Sequence, residues 1–384
     1  MKLIHTADWH LGMENYGKFD PETGLSSRIA DFLRTFDEVV DYTIDKKVDA
    51  FLFAGDVYKN REPTQTYQRE FAKRVLKLAK NNIPVVLLVG NHDTPSAEAK
   101  ANTLDIYFTL EIDNVFVVRK PSLITINDKL QIIGLPWLTK KDFEGLTDTL
   151  RSFYEKLNSK LPTVTMVHGT VEGSVFGSER SIYLGKDFII PLNLLTHPQV
   201  SYVALGHIHK RQILSENPPV LYPGSLERID FGEEKEPKSF ELVNIDNHHK
   251  ASHEPIAVSA RPFKTIEINI PESTLDPTEL VIKNIEGQDL SGAVVKLVLN
   301  LTSATLEQLR PDAMKKELEK KAYVVAGITK NVERSIRQRL ENVSAEELTP
   351  FEALQKYFEP KNYPPEKIAI LENKAKEIIE EIVK

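Results

Sequence analysis

Residues 204–209 read Ala204-Leu205-Gly206-His207-Ile208-His209 and directly follow an apolar run that starts at Tyr202 and is typical of a buried strand. Alternate side chains of a strand share a face, so the two histidines would point the same way if the strand continued. If the strand has already ended, they lie on a loop at its carboxyl edge, where open α/β sheets build their sites. A His-x-His pair alone does not separate a metal site from surface or capping histidines. The interpretation therefore depends on the rest of the chain.

Composition limits the possible chemistry. A chain of 384 residues with 41% hydrophobic and 27% charged residues is typical of a globular protein of two or three domains. The absence of cysteine excludes disulfides, thiolate zinc sites and cysteine nucleophiles, so any transition metal must be held by His, Asp, Glu or Asn. A net charge of −7 does not indicate nucleic-acid binding, but a local basic patch would be enough for it.

The chain shows neither a membrane segment nor a leader pattern. No apolar run reaches the length of a membrane span, and Met1 leads straight into the apolar residues of a strand. We therefore expect a cytoplasmic protein without a membrane contact.

The first hundred residues alternate strands and helices. Apolar runs at 2–6, 49–54 and 84–89 predict strands, and helical spacing of apolar residues between them predicts two helices, the first capped by Ser26 or Ser27. Further strands are predicted at 130–135 and 163–167. The order predicts an α/β protein with a largely parallel sheet flanked by helices.

Five predicted strands end in residues that can bind a metal. Parallel strands bring their carboxyl ends to one edge, so these side chains should converge on one cleft despite their separation in sequence. Neighbouring glycines would permit sharp turns and close backbone approach. The side chains are Asp8, His10, Asp56, Asn91, His168, His207 and His209.

Seven ligands are too many for one ion and suit two ions that share a ligand. The mixture of imidazole, amide and carboxylate suits Mn²⁺, Fe²⁺ or Zn²⁺ and does not choose among them. Two divalent ions bring four positive charges against two aspartates, so the site would attract an anion, and phosphate esters are the obvious class.

These residues resemble the signature of the calcineurin-like metallophosphoesterases over roughly the first 230 residues. The blocks that carry the resemblance are Asp8-x-His10, Gly55-Asp56, Gly90-Asn91-His92-Asp93, His168 and Gly206-His207-x-His209. Within the superfamily the chain is most similar to the SbcD family, the nuclease subunits of SbcCD complexes. That similarity also rests on residues 5–12 and 222–228 and extends into the C-terminal part.

The resemblance implies an α/β fold with central sheets flanked by helices, and it implies a role for each matching residue. Two manganese-type ions are implied, the first held by Asp8, His10, Asp56 and His209 and the second by Asp56, Asn91, His168 and His207. Asp56 would bridge them, and a hydroxide activated by both ions would attack the phosphodiester. His92 would be catalytic, stabilising the transition state or protonating the leaving oxygen. The alternative for His92 is a helix-capping histidine or one that supports a ligand.

One position departs from the pattern of relatives. Lys59 stands three residues after the bridging aspartate, where relatives often carry His or Asp, and a lysine side chain cannot accept a hydrogen bond from His92. Basic residues near the motifs are candidates for phosphate contacts to DNA, with solvated surface charge as the alternative. They are Lys59, Arg61, Lys210, Arg211 and Arg228. We interpret His248, His249 and His253 as surface residues.

The chain should contain three parts. Residues 1–258 form the metallophosphoesterase nuclease domain. Residues 262–335 form a small α/β capping domain, with strands at 263–270, 293–301 and 322–326 and helices around 277–285 and 306–320. Residues 344–384 form a helix-loop-helix that docks on an ATPase partner. A dimerisation or stability role remains open for the second part, and folding back onto its own chain remains open for the third.

The resemblance predicts a metal-dependent DNA nuclease for double-strand-break repair, acting exonucleolytically on double-stranded ends and endonucleolytically on single strands and hairpins. It implies DNA, an SbcC-type coiled-coil ATPase and a second copy of the chain as partners. The alternatives are a phosphomonoesterase or cyclic-nucleotide phosphodiesterase of the same superfamily, and a non-catalytic scaffold. An intact ligand set disfavours the scaffold.

Overall fold

The computed structural model describes residues 1–22, 24–95, 100–177, 188–333, 351, 354, 368–369 and 371–376. The chain divides into two compact units. The larger comprises Met1–Ile268, Thr278–Leu299 and Arg310–Thr329, and the smaller comprises Asn269–Pro277, Asn300–Leu309 and Lys330–Lys384. Within the described ranges, every helix is too short or too polar to cross a membrane.

The strands of these ranges are β1 Lys2–Thr6, β2 Phe19–Asp20, β3 Leu25–Ser26, β4 Ala50–Phe53, β5 Val85–Leu88, β6 Val115–Val118, β7 Ser122–Ile126, β8 Leu130–Leu135, β9 Thr163–His168, β10 Thr170–Val171, β11 Ile189–Ile190, β12 Val200–Gly206, β13 Gln212–Glu216, β14 Pro219–Tyr222, β15 Ser239–Ile245, β16 Ala251–Ala257, β17 Phe263–Asn269, β18 Val294–Thr302 and β19 Val324–Glu333. The α-helices are α1 Ser27–Asp45, α2 Gln65–Lys80, α3 Asp105–Thr109, α4 Lys140–Glu144, α5 Leu146–Tyr154, α6 Pro277–Glu286, α7 Ser303–Glu307 and α8 Pro311–Lys321. The 3₁₀ helices are Leu192–Leu194 and Phe231–Glu233.

A first six-stranded sheet has the order β16-β15-β1-β4-β5-β6. Its strands β1, β4, β5 and β6 pair in parallel, as the alternation of strands and helices predicts. Strands β15 and β16 extend it as an antiparallel hairpin. The sequence analysis did not predict this hairpin, because the stretch around His253 is polar. The interpretation of His253 as a surface residue was wrong, because its ring lies 3.0 Å from the buried carboxylate of Glu241.

A second six-stranded sheet has the order β13-β14-β12-β9-β8-β7. Strands β8, β9, β12 and β14 run parallel, and β7 and β13 add antiparallel edges. The chain therefore builds two central sheets, as the resemblance implies, whereas the order of strands and helices alone predicted one.

Side-chain alternation explains how the two sheets pack. Leu3, Leu52 and Val86 of the first sheet pack against Met166 and Ala204 of the second, in one buried cluster. The residues that follow them in β1, β4 and β5 point to the opposite face and pack against α1 and α2. On the far side of the second sheet, Val203 and Leu205 pack with α5. This period of two gives four layers, helix, sheet, sheet and helix, and confirms the predicted α/β class.

Helix α1 begins as predicted, because the Ser26 side chain accepts a hydrogen bond from the backbone N–H of Arg28. Thr64 caps α2 in the same way.

Strands β17, β18 and β19 form a three-stranded sheet in that order, near the three predicted strand positions. The single helix predicted around 306–320 was wrong: α7 ends at Glu307 and α8 begins at Pro311. Proline lacks the N–H that a helix interior needs and is favoured in the first turn, which fixes the break.

The predicted hairpin at 344–384 lies mostly outside the described residues. Those of its residues that are described, at 351, 354, 368–369 and 371–376, are helical.

Candidate metal centre

Seven polar side chains lie at the carboxyl ends of five strands. Asp8 and His10 follow β1, Asp56 follows β4 and Asn91 follows β5, all in the first sheet, whereas His168 ends β9 and His207 and His209 follow β12 in the second. All are buried, with at most 8% of each residue exposed. The ligand strands thus come from two packed sheets, and the side chains still converge as predicted.

Four of these residues have a strained backbone conformation that orients their side chains. Asp8, His10, Asp56 and His207 have φ values of 54°, 44°, 60° and 106°, which non-glycine residues rarely adopt. Each such residue costs about 1–3 kcal/mol, so its surroundings must hold it in place. Hydrogen bonds supply this support: Asp8 N–H donates to Gly55 O at 3.0 Å, and His10 N–H to Asp56 O at 3.2 Å.

Two glycines permit the close approach of the strand ends. A Cβ added at Gly55 would lie 2.2 Å from Nδ1 of His168, and one added at Gly90 would lie 2.1 Å from Oδ1 of Asp56. Neither position has room for a side chain, and Gly55 also has a φ of 97°.

A first group of donors comprises Asp8, His10 and His209, whose ligand atoms all lie within 4.8 Å of one another. Nε2 of His10 lies 2.9 Å from Nε2 of His209. Two ligands bound at about 2.1 Å to one ion lie ~3.0 Å apart at a right angle and ~3.4 Å apart at a tetrahedral angle. The observed separation fits two nitrogens on one cation.

A second group comprises Asp56, His168 and His207. Asn91 lies among them, with its Oδ1 2.9 Å from Nε2 of His168 and 3.0 Å from Nδ1 of His207. These spacings again match the edges of one coordination sphere.

Asp56 connects the two groups. Its Oδ1 lies 3.4 Å from Nε2 of His168, and its Oδ2 lies 3.8 Å from Nε2 of His10. One carboxylate thus faces both sets of donors with a different oxygen, as a bridging ligand requires. The residues present fit two divalent ions.

The charges in the pocket are strongly perturbed. Burial raises the pKa of Asp8 to about 7. Burial alone would raise the pKa of Asp56, but His168 beside it holds that pKa well below its usual range. Burial would lower the pKa of His168, but Asp56 raises it to about 9, whereas burial lowers the pKa of His10 well below its usual value. Such shifts concentrate where charged groups are buried for function.

A supporting layer orients the imidazoles. The carbonyl of Ala54 accepts from Nδ1 of His168 at 2.7 Å. The buried carboxylate of Glu233 lies 3.2 Å from Nδ1 of His209, and its other oxygen accepts from Lys238 Nζ at 2.6 Å. A carboxylate or carbonyl on one ring nitrogen fixes the tautomer that leaves the other for a metal.

Asp93 supports the loops rather than the imidazoles. Its Oδ2 accepts from the backbone N–H of Asp56 at 2.9 Å and of Gly90 at 3.1 Å, and its Oδ1 accepts from Val57 N–H at 3.2 Å. It therefore joins the loop after β4 to the loop after β5.

His92 is only partly buried, unlike the seven buried side chains. Its Nδ1 donates to the backbone carbonyl of Lys59 at 2.7 Å, so position 59 orients His92 through its main chain and not through its side chain. A ring nitrogen of His92 also lies within 4.8 Å of donors on His10 and Asp56. Distance alone would therefore also permit His92 to bind a metal.

The basic candidates separate into two groups. Arg211 donates to the buried Glu241 at 2.5 Å, and Arg228 donates to three backbone carbonyls, of Glu234, Glu236 and Arg261. Both guanidinium groups are engaged in internal contacts, which argues against a role in DNA binding. Lys59, Arg61 and Lys210 form no ion pair with the described residues and remain candidates.

The sequence argument missed Glu233 and Trp137, and it gave Asp93 no role although the block from Gly90 to Asp93 contains it. Glu233 is 24 residues from the histidine it contacts, and no local pattern connects them. Trp137 follows β8 at the edge where the ligand strands end, and its ring centroid lies 5.1 Å from that of His207.

A family match and curated relatives agree with this geometry. Residues 1–211 match the model of the calcineurin-like phosphoesterase family. The DNA double-strand break repair protein Mre11 of Methanocaldococcus jannaschii is 28% identical over 278 residues, which cover 70% of this chain and 69% of that protein. The D chain of the nuclease SbcCD of Escherichia coli K12 is 26% identical over 288 residues, which cover 67% and 68%. Among solved structures, TT1561 of Thermus thermophilus aligns with a TM-score of 0.40 at 13% identity, over 66% of this chain and 98% of that one.

Proposed function

The chain belongs to the calcineurin-like phosphoesterase family, and on that premise we propose that it is a metal-dependent DNA nuclease that processes broken DNA ends. The observation that carries the proposal is the meeting of seven buried donors in two groups that share Asp56. The relatives named as a break-repair protein and as part of a nuclease support DNA as the substrate. Their matches span about two thirds of each relative.

Two divalent ions, for which we propose Mn²⁺, complete the site. Asp8, His10, Asp56 and His209 would hold the first, and Asp56, Asn91, His168 and His207 would hold the second. When bound, the ions supply positive charge to a phosphodiester and lower the pKa of an attacking water. Burial of the side chains excludes water from the donor atoms. The strained backbone and the hydrogen bonds to Ala54 and Glu233 hold these atoms in their orientation.

His92 acts on the substrate from the edge of the pocket. The Lys59 carbonyl anchors Nδ1, and we assign Nε2 to an oxygen of the scissile phosphate. In the protonated form, Nε2–H stabilises charge on that oxygen or gives a proton to the leaving oxygen. Lys59, Arg61 and Lys210 contact neighbouring phosphates and position the strand.

The substrates we propose are double-stranded ends, cut exonucleolytically, and single strands and hairpins, cut endonucleolytically. The test is incubation of linear duplex, hairpin and plasmid DNA with chelator-treated protein plus Mn²⁺. We expect cleavage that EDTA abolishes and that His92→Ala reduces strongly. Hydrolysis of a small phosphate ester with the DNA left intact would contradict the nuclease and favour a phosphomonoesterase or cyclic-nucleotide phosphodiesterase.

The proposed partners are an SbcC-type coiled-coil ATPase and a second copy of the chain. For the ATPase, residues 344–384 are the docking segment. Deletion of 344–384 should abolish capture of the ATPase and leave cleavage of single strands intact, and unchanged capture would contradict this assignment. The α/β module at 262–335 is the capping domain that shapes DNA entry.

Exposed apolar side chains on and next to α3 support the homodimer. Ile106, Phe108 and Leu110 are 53%, 52% and 62% exposed on and just after α3. Apolar side chains grouped in this way mark contact surfaces. Light scattering should give twice the chain mass, and Ile106→Glu combined with Leu110→Glu should reduce it to that of one chain.

A further inference from the structure

Trp137 stands where the ligand strands end. It follows β8, which pairs in parallel with β9 through Leu135 and Val167, so position 137 lies beside His168 at the same edge. Its backbone N–H donates to the carbonyl of Val89 at 2.9 Å, which fixes it near the loop that carries Asn91. The residue is therefore anchored to both sheets.

The indole ring borders the second group of donors. Its centroid lies 5.1 Å from the His207 ring at an angle of 42° and 6.2 Å from the His168 ring at 68°. The two histidines are each 1% exposed, whereas Trp137 is only partly buried. The ring thus extends from the buried donors to the surface.

The indole N–H has no acceptor among the described residues, and it is not among the buried polar atoms without a partner. It therefore reaches solvent beside the site. Indole N–H groups of buried tryptophans usually donate a hydrogen bond. The N–H of Trp137, at the edge of the site, is therefore placed to donate to an acceptor of a bound molecule.

We propose that Trp137 contacts the nucleoside that adjoins the scissile phosphate. The inference rests on the proposed nuclease function and adds a residue that recognises the base. A phosphate needs charge and hydrogen-bond donors, which the ions and His92 supply. A partly exposed ring with one outward N–H instead offers a flat apolar face, on which any of the bases can stack.

Abasic oligonucleotides test this contact directly. Wild-type protein and Trp137→Ala are compared on normal DNA and on DNA with an abasic site on either side of the scissile phosphate in turn. We expect Trp137→Ala to cut normal DNA roughly 5- to 100-fold more slowly, since stacking on an aromatic ring contributes that much. At one of the two positions, removal of the base should slow cleavage by the wild-type protein by a similar factor. Cleavage by Trp137→Ala should be no slower on that abasic DNA than on normal DNA.

A purely structural role gives a different pattern. If Trp137 only supports His207, Trp137→Ala should lose Mn²⁺ affinity and should slow equally on normal and abasic DNA. Either result overturns the proposal. Trp137→Phe keeps the ring and should recover most of the rate on normal DNA.

Fluorescence separates this proposal from the proposed function. The chain has two tryptophans, and Trp9 is 1% exposed, so a change on addition of oligonucleotide reports Trp137. We expect quenching by a normal oligonucleotide that an abasic one and Trp137→Phe do not show. If the wild-type protein cuts no DNA, the nuclease proposal fails. Quenching at saturating oligonucleotide still decides whether Trp137 contacts the base, and an absence of quenching would overturn that contact.

Discussion

The Nε2 atoms of His10 and His209 face each other at 2.9 Å in a buried pocket. Two neutral rings that present lone pairs in this way repel unless a cation or a proton lies between them. The carboxylate of Glu233 beside Nδ1 of His209 favours the tautomer with its proton at Nδ1, which directs the lone pair of Nε2 towards His10. The pair is therefore arranged for a shared cation.

Glu233 should control metal affinity without binding metal. Glu233→Gln weakens the acceptor at Nδ1 of His209 and should reduce the affinity of one of the two ions by roughly 10- to 100-fold. Titration calorimetry of chelator-treated protein with Mn²⁺ measures this effect. Glu144→Gln, which changes a glutamate on the surface, is the matched control. If Glu233→Gln binds both Mn²⁺ ions with the affinities of the wild-type protein, Glu233 does not support the metal site.

Gly90 should be essential although it offers no ligand. In Gly90→Ala the added Cβ would lie 2.1 Å from Oδ1 of Asp56 and displace the bridging carboxylate. We expect loss of at least one ion, measured as bound Mn²⁺ per chain after desalting. Gly287→Ala is the control, because a Cβ there meets its nearest neighbours at ordinary distances of 3.7 and 3.8 Å. Full metal content in Gly90→Ala would show that the loops tolerate a wider separation.

His92 should affect the rate and leave metal content unchanged. His92→Asn removes the group assigned to the phosphate, and general acid catalysis of this kind contributes about 10²- to 10⁴-fold. The rate on single-stranded DNA at saturating Mn²⁺ should fall within that range while two ions remain bound. The exposed His248→Asn should behave as wild type. A drop in metal content would instead make His92 a ligand, which its distance to His10 and Asp56 also permits.

His5 should destabilise the metal-free protein in mild acid. Its ring is buried between the Tyr202 hydroxyl and the Leu205 carbonyl, and burial lowers its pKa to about 3. Between about pH 6.5, its unfolded value, and pH 3, the unfolded chain binds a proton that the folded chain does not, so stability falls as pH falls. Urea unfolding should show wild type losing up to about 1.4 kcal/mol per pH unit more than His5→Gln. Parallel curves for the two proteins would contradict this.

The sequence predicted what depends on local pattern. The apolar runs that end just before Asp8, Asp56 and His207 could be recognised in the sequence, because a strand and its end lie within about ten residues. The break at Pro311 was also readable from proline chemistry alone, although the helix prediction overlooked it. The division into two sheets was not readable from the strand pattern, because a continuous apolar run shows that both faces of a strand are covered and not which strands lie in the same sheet.

Supporting contacts were harder to predict for a related reason. The orientation of His92 depends on the carbonyl of Lys59, and every residue type carries the same carbonyl. Glu233 reaches His209 through a turn whose course local sequence does not specify. Arg228 resembles a surface cation in sequence, and only the fold brings three carbonyls to it.

Anomalous diffraction from crystals grown with Mn²⁺ tests the central claim most directly. We predict two peaks per chain, both within bonding distance of Asp56, one beside His10 and His209 and the other beside Asn91, His168 and His207. A single peak, or peaks that lie away from Asp56, would contradict the two-metal site on which the proposed function depends.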